Sequence, residues 1–406
     1  MEGVVNSKRK IKIMKLGFVI VFVLSPMALI FKYLLWPTTP DISHFNWTQT
    51  AIQNDWSSTS PELLGFSPNI LINLHSKIAS NRSKNVHSLL LVRHGQLVFE
   101  QYYPVPAEND RTPLPNYYPP NADTYHQMRS ITKTIISTLI GQMLYQNQLS
   151  NVDTPLYPFF EDIKFVVPED KREITIRHAL NFNSGINWNE WGAMPSDAMN
   201  MWLSSDPYRY VLSKGVAYPP GEKHVYQGAM SVLMGGVIEK VSGVNLREYA
   251  DLNLFQPLGI KHFDWFVHEV TGEHLGSSGL YLRSRDLAKL GQLYLNKGVW
   301  DGQRLFAESW AEDSLKPSGQ FWDNKAIQYG NNWWFPRITV NNKALIIAGM
   351  RGAGGQEMFI LPEYDLVFVM TSGAYITQDE DYPFELLVNY ILPSIGIKNA
   401  KYIARE

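Results

Sequence analysis

The hydrophobic pattern divides the chain into an apolar head, a polar connector and a long region of mixed periodicity. Residues 16–31 carry no charge, Lys32 interrupts, and residues 33–36 are apolar again. Lys8, Arg9, Lys10, Lys12 and Lys15 precede this run. A basic flank ahead of roughly 20 apolar residues predicts a span whose tail stays cytoplasmic and whose remainder is exported. Tilt and a snorkelling Lys32 bring the segment to spanning length. No Ala-x-Ala-like site follows it, which favours an uncleaved anchor over a signal peptide. The expected organisation is a basic cytoplasmic tail (1–15), a transmembrane signal anchor (16–36), a linker rich in Pro, Thr, Ser, Asp and Asn (37–60), and one folded domain (61–406) on the non-cytoplasmic side of a single-pass membrane protein.

Within that domain, apolar residues at helical spacing predict a first helix over 61–79. Strand-like runs at 88–92 and 96–103 flank Arg93-His94-Gly95 and predict a β-hairpin. Apolar positions 131, 135, 136, 139, 140, 143 and 144 predict a helix over 131–145. Segments 229–241 and 284–296 read the same way. Beyond residue 330 the pattern shifts to short apolar runs at 345–348, 357–361 and 366–371, which predict strands of an antiparallel sheet, and 381–392 predicts a closing helix. Strands at both ends with helices between them imply one sheet built from distant segments, a helical lobe, and a cleft between the two.

Composition narrows the chemistry. Of 406 residues, 45% are hydrophobic and 18% charged, which excludes disorder as the main state. The formal net charge of -2, from 36 basic and 38 acidic residues, gives no electrostatic footprint for nucleic acid. With no cysteine, thiolate nucleophiles, disulfides and zinc–thiolate sites are excluded. The ten histidines show no His-Glu-x-x-His spacing, so no catalytic metal is expected, and no other cofactor is indicated. A Gly-x-Ser-x-Gly elbow is also missing, which argues against an α/β-hydrolase.

The sharpest local signal is Ser130-Ile131-Thr132-Lys133 at the start of the 131–145 helix. A serine one turn before a lysine puts hydroxyl and amine on one helix face, where a neutral amine can take the hydroxyl proton. The same serine also reads as an ordinary N-cap. Trp188, Glu190 and Trp191 follow Ser184-Gly185, and either line a pocket or pack the helical lobe. His178 reads as structural. Of Trp333 and Trp334, one is expected in the core and the other at the cleft.

Ser130-Ile131-Thr132-Lys133 does not stand alone. It is followed in order by His178-Ala179-Leu180, Ser184-Gly185, Tyr218-Pro219-Pro220-Gly221-Glu222 with Tyr226, Gly235-Gly236, Gly279-Leu280-Tyr281 with Ser284-Arg285-Asp286-Leu287-Ala288, and Gly352-Ala353-Gly354-Gly355-Gln356. Over about residues 60–395 the chain resembles the serine β-lactamase-like superfamily, which includes class C β-lactamases, DD-peptidases, family VIII carboxylesterases and 6-aminohexanoate-dimer hydrolases.

That resemblance implies an α+β fold of the β-lactamase/transpeptidase type. It has an antiparallel sheet flanked by helices and an all-helical lobe, here preceded by one transmembrane helix. It implies acyl transfer to water, with Ser130 as nucleophile, Lys133 as its proton partner and Tyr226 sharing that proton and passing it to the leaving group. Tyr226 would act as a base only if a neighbouring cation favoured phenolate. The oxyanion hole would use the Ser130 amide and one near Gly354 or Gly355. Two departures stand out. The asparagine of Tyr-x-Asn falls on Gly228, and the Lys-Thr-Gly region reads Met350-Arg351-Gly352. With Arg351, Gly228 and Trp188 as further substrate-side candidates, the implied partners are a small-molecule or peptide-like ester or amide and the lipid bilayer. Peptidoglycan-like ligands, or a silent binding role on the same fold, are the rival readings.

Overall fold

The computed structural model describes residue 47 and residues 55–106, 117–118, 120–163, 171–191, 195–321, 327–375 and 380–403. The expected anchor lies outside them. Among the described residues no helix is long and apolar enough to cross a membrane. Of the expected linker, residue 47 and residues 55–60 are described, and they lie on the domain: Glu100 N donates to Trp47 O at 2.6 Å. Asp55 pairs with Lys289 at 2.6 Å, Trp56 Nε1 donates to Gly95 O at 2.8 Å, and Ser57 O and Thr59 N bond to the backbone of Leu97.

Eight strands form the main sheet: β1 (Val86–Arg93), β2 (Gln96–Tyr102), β3 (Gly319–Gln320), β4 (Ile327–Gly330), β5 (Trp333–Pro336), β6 (Ala348–Gly352), β7 (Gln356–Leu361) and β8 (Leu366–Ser372). Their spatial order is β3-β4-β5-β6-β7-β8-β1-β2, antiparallel throughout. The amino-terminal hairpin thus completes a sheet begun by the carboxy-terminal strands. Its turn places His94 and Gly95 at positive φ, as a two-residue hairpin requires.

The central strands are buried on both faces, so they read as continuous apolar runs rather than alternating ones. Alternate residues serve two cores. Leu90, Val92, Met358, Ile360, Val367 and Val369 face the helical lobe. Leu89, Leu91, Phe359, Leu361 and Phe368 face α1 (Pro68–Ser80) and the carboxy-terminal helical segment from Tyr382 to Ser394.

Helix α2 (Ile131–Tyr145) has the predicted bounds, but it is buried around its whole circumference through Met143. Thr134, Thr138 and Gln142 are polar and still fit because each donates to a backbone carbonyl: to Asn332 O, to its own helix at Thr134 O, and to Asn253 O. Helices α3 (Gly228–Ser242) and α4 (Ser284–Leu295) also match expectation.

Three expectations need correction. The helix expected over 61–79 is broken: Pro61–Leu64 is a 3-10 turn ended by Gly65 at φ 76°, and α1 begins only at Pro68. The run 345–348 is not one strand. Lys343–Leu345 pairs in a separate three-stranded sheet, Ile346 is exposed, and β6 begins only at Ala348. The helical lobe is also not purely helical. Tyr125–Gln127, Leu280–Arg283 and Asp264–Trp265 form a small antiparallel sheet at its edge, and that sheet leads the chain into Ser130.

Candidate active site

Three segments converge on Ser130. Met128 N donates to Leu280 O, which ties the turn before α2 to the small sheet. Arg129 then adopts φ 51°, a strained value for a side chain of this size. Its guanidinium lies over the Tyr375 ring at 4.9 Å. Strand β6 ends against the same turn. A Cβ on Gly352 would come 2.3 Å from Met128 O, so only glycine allows this approach. The turn from Gly352 to Gly355 therefore faces Ser130.

Ser130 occupies the N-cap position, yet its side chain caps no helix amide. Instead Lys133 Nζ donates to Ser130 Oγ at 2.9 Å and to Ser277 O at 2.7 Å. The hydroxyl is thus committed to the lysine rather than to the N-cap role. Lys133 is buried, and burial lowers its pKa to about 8, with the Glu190 charge opposing the shift.

Tyr226 approaches from the segment before α3 and lines the same chamber as Ser130, whose side chain favours the phenolate. Its ring is enclosed by Phe182 (4.9 Å), Trp334 (5.6 Å), Trp191 (5.7 Å) and Phe321 (6.3 Å), and Lys133 Nζ lies 5.3 Å from its centroid. Burial pushes the phenol well above its ordinary value, and Glu190 pushes it the same way. These electrostatics hold Tyr226 as a neutral phenol and make Lys133 the better proton acceptor.

Two chambers open on Ser130. The narrow one, of about 160 Å³, is walled by Lys133, Trp188, Glu190, Trp191 and Ala353 among others. A wider one, of about 590 Å³, is bounded by Trp191, Tyr226, Trp334, the Gly352–Gly355 turn and Tyr375. Trp188 is buried and directs its Nε1 to Glu190 Oε2. Gly354 and Gly355 line the wide chamber, whereas Ala353 lines both.

Arg351 borders the wide chamber, as expected of a substrate-side residue, but does not present a free cation. Its guanidinium makes a bidentate pair with Glu357 (Nε to Oε2 2.9 Å, Nη2 to Oε1 3.1 Å) and lies over the Phe384 ring at 4.9 Å. Trp333 is in the core and Trp334 at the cleft, as expected. His178 caps its own helix with Thr175. Among the described residues no cluster of three or more metal-ligating side chains is present.

Sequence reasoning left Glu190 undecided and missed Ala353, Ser277 and Tyr375. The one available signal for Glu190 was Gly228: a missing side chain in a packed site implies that a neighbour fills the space.

The chain matches the Beta-lactamase family model over residues 82–388. Among curated proteins it is 21% identical over 270 residues to a 6-aminohexanoate-dimer hydrolase of Paenarthrobacter ureafaciens, covering 62% of this chain and 66% of that one. The match therefore spans slightly less than two thirds of that relative. Among solved structures, EstCE1, a hydrolase with promiscuous acyltransferase activity, superposes with TM-score 0.65 at 14% identity over 80% of this chain and 98% of that one. A penicillin binding protein from Bacillus halodurans gives TM-score 0.59 at 21% identity over 77% and 99%. At these identities the structural matches establish the fold alone.

Proposed function

This chain belongs to the beta-lactamase family, and on that premise we propose that it is a membrane-anchored serine hydrolase that cleaves a small ester or amide through an acyl-enzyme on Ser130. The observation that carries this reading is the 2.9 Å hydrogen bond from a buried, low-pKa Lys133 to a Ser130 hydroxyl that does no capping.

Neutral Lys133 accepts the Ser130 proton as Oγ bonds to the carbonyl carbon. The positive end of α2 and backbone amides at Ser130 and the Gly352–Gly355 turn stabilise the oxyanion. Within that turn Ala353 borders both chambers and Gly354 and Gly355 border the wide one, so all three are candidates for the second amide. Collapse breaks the bond to the leaving oxygen or nitrogen, and that atom takes its proton from Lys133 by way of the Tyr226 hydroxyl. Water then repeats the sequence, releasing the acid and restoring Ser130.

The aromatic walls of the wide chamber favour an apolar leaving or acyl group. The Arg351–Glu357 pair counts against a substrate carboxylate bound at the Lys-Thr-Gly position, hence against the β-lactamase and DD-peptidase readings. Membrane attachment through residues 16–36 rests on the sequence pattern, and fractionation of the full chain against a chain starting at residue 37 tests it. For the chemistry, the test is hydrolysis of p-nitrophenyl esters by the wild type and Ser130→Ala. Activity that survives the substitution contradicts the proposal.

A further inference from the structure

A carboxylate occupies the space that a side chain at position 228 would need. A Cβ on Gly228 would lie 2.6 Å from Glu190 Oε1 and 3.0 Å from Oε2. The carboxylate is fixed there from two sides. Gly228 N donates to Oε2 at 2.8 Å, and Trp188 Nε1 donates to the same oxygen at 2.5 Å. Glu190 cannot yield to a new side chain without breaking both bonds. It borders the narrow chamber together with Ser130 and Lys133.

Lys133 gives this placement a purpose. Its two hydrogen-bond acceptors, Ser130 Oγ and Ser277 O, are both neutral. A buried ammonium needs an opposing charge. The groups that face Lys133 are Glu190, the Tyr226 ring, and Arg129 on the preceding turn, whose guanidinium is drawn to Tyr375. Glu190 is the negative one among them, and its field opposes the burial penalty on the lysine.

We propose that Glu190 is a positioning residue of the Ser130–Lys133 reaction: its carboxylate takes the place of the side chain absent at Gly228 and stabilises the ammonium that forms when Lys133 accepts the Ser130 proton. The inference rests on the serine-hydrolase reading. The net proton movement is unchanged: Glu190 neither gains nor loses a proton. It acts through its charge on Lys133 and through the two hydrogen bonds that hold it.

The test uses the full chain, p-nitrophenyl acetate and a fluorophosphonate probe. Glu190→Gln keeps the shape and removes the charge. It is expected to lower the kcat/KM plateau roughly ten- to hundredfold. It should also move the acid limb to lower pH, because burial then depresses Lys133 unopposed. Gly228→Asn alone is expected to lose activity through the close contact with Glu190. Glu190→Ala combined with Gly228→Asp is expected to recover at least about tenfold over Glu190→Ala alone, since a carboxylate again fills the same space. An unchanged acid limb in Glu190→Gln, or a double variant no better than Glu190→Ala, overturns the inference. A wild type that takes no fluorophosphonate overturns the hydrolase reading instead. The charge relationship is then read by NMR titration of Lys133, where Glu190→Gln must lower the lysine pKa and an unmoved value refutes it.

Discussion

The carbonyl oxygen of Met128 lies 2.3 Å from where a Cβ on Gly352 would sit, so the end of β6 and the turn before Ser130 meet backbone to backbone. This contact sets the distance between the nucleophile and the amides of the Gly352–Gly355 turn. Gly352→Ala forces the two apart, because a carbonyl cannot rotate away as a side chain can. The expected result is a fall in kcat/KM of about 10² with a stability loss of about 1–3 kcal/mol. Ester hydrolysis and thermal melts measure both, and wild-type kinetics in this variant would contradict the assigned geometry.

Lys133 carries an opposed stability prediction. Its folded pKa is about 8, below the ordinary lysine value, because burial disfavours the ammonium. Between about pH 8 and 10.5 the unfolded chain binds the proton and the folded one does not, so stability rises with pH across that window. At pH 7 the folded protein carries the full penalty, on the order of 3 kcal/mol. Lys133→Met is therefore expected to abolish hydrolysis while raising the melting temperature at pH 7, with the gain shrinking by pH 10. A destabilised Lys133→Met at neutral pH would contradict the assigned burial.

His87 and His126 are expected to make the domain acid-sensitive. Their Nδ1 atoms are 3.3 Å apart in the core, and burial lowers their pKa values to about 4 and about 3, with His87 further lowering His126. Both groups are neutral when folded and become protonated near pH 6.5 when unfolded. Their contribution is complete above pH 6.5 and is lost as pH falls towards 4 and 3. Melting temperatures measured from pH 7 to 4 are expected to drop steeply, and a His87→Leu/His126→Leu double variant is expected to flatten that slope. An equal slope in both proteins would refute the linkage.

Arg351 is assigned a structural role. Removing it leaves Glu357 buried without its partner, so Arg351→Met is expected to cost about 3–5 kcal/mol, and Arg351→Met/Glu357→Met to recover much of that loss. Chemical denaturation checks this. Arg351→Met that keeps its stability but raises KM selectively for carboxylate-bearing esters would instead make Arg351 a substrate ligand.

The bounds of α2 were legible because its apolar residues keep helical spacing, and because Ser130 and Lys133 sit one turn apart at its start. The central strands were legible as apolar runs for the same reason that they are buried on both faces. Elsewhere sequence could not say which partner wins. The run 345–348 looks continuous, but its two ends pair in different sheets and Ile346 between them faces solvent. The pairing of Arg351 with Glu357, six residues on, was hidden because it exists only through the β6–β7 register. Ala353 was not singled out beside two glycines, since its position between two chambers emerges only in the fold. Glu190 lies 38 residues from Gly228 and meets it only in the fold.

The most direct test of the central claim is mass spectrometry of the full chain after exposure to a fluorophosphonate. The account predicts a single adduct on the peptide containing Ser130, absent in Ser130→Ala and strongly reduced in Lys133→Ala. A folded wild type that acquires no adduct, or acquires it on another serine, would contradict the assignment of Ser130 as the nucleophile.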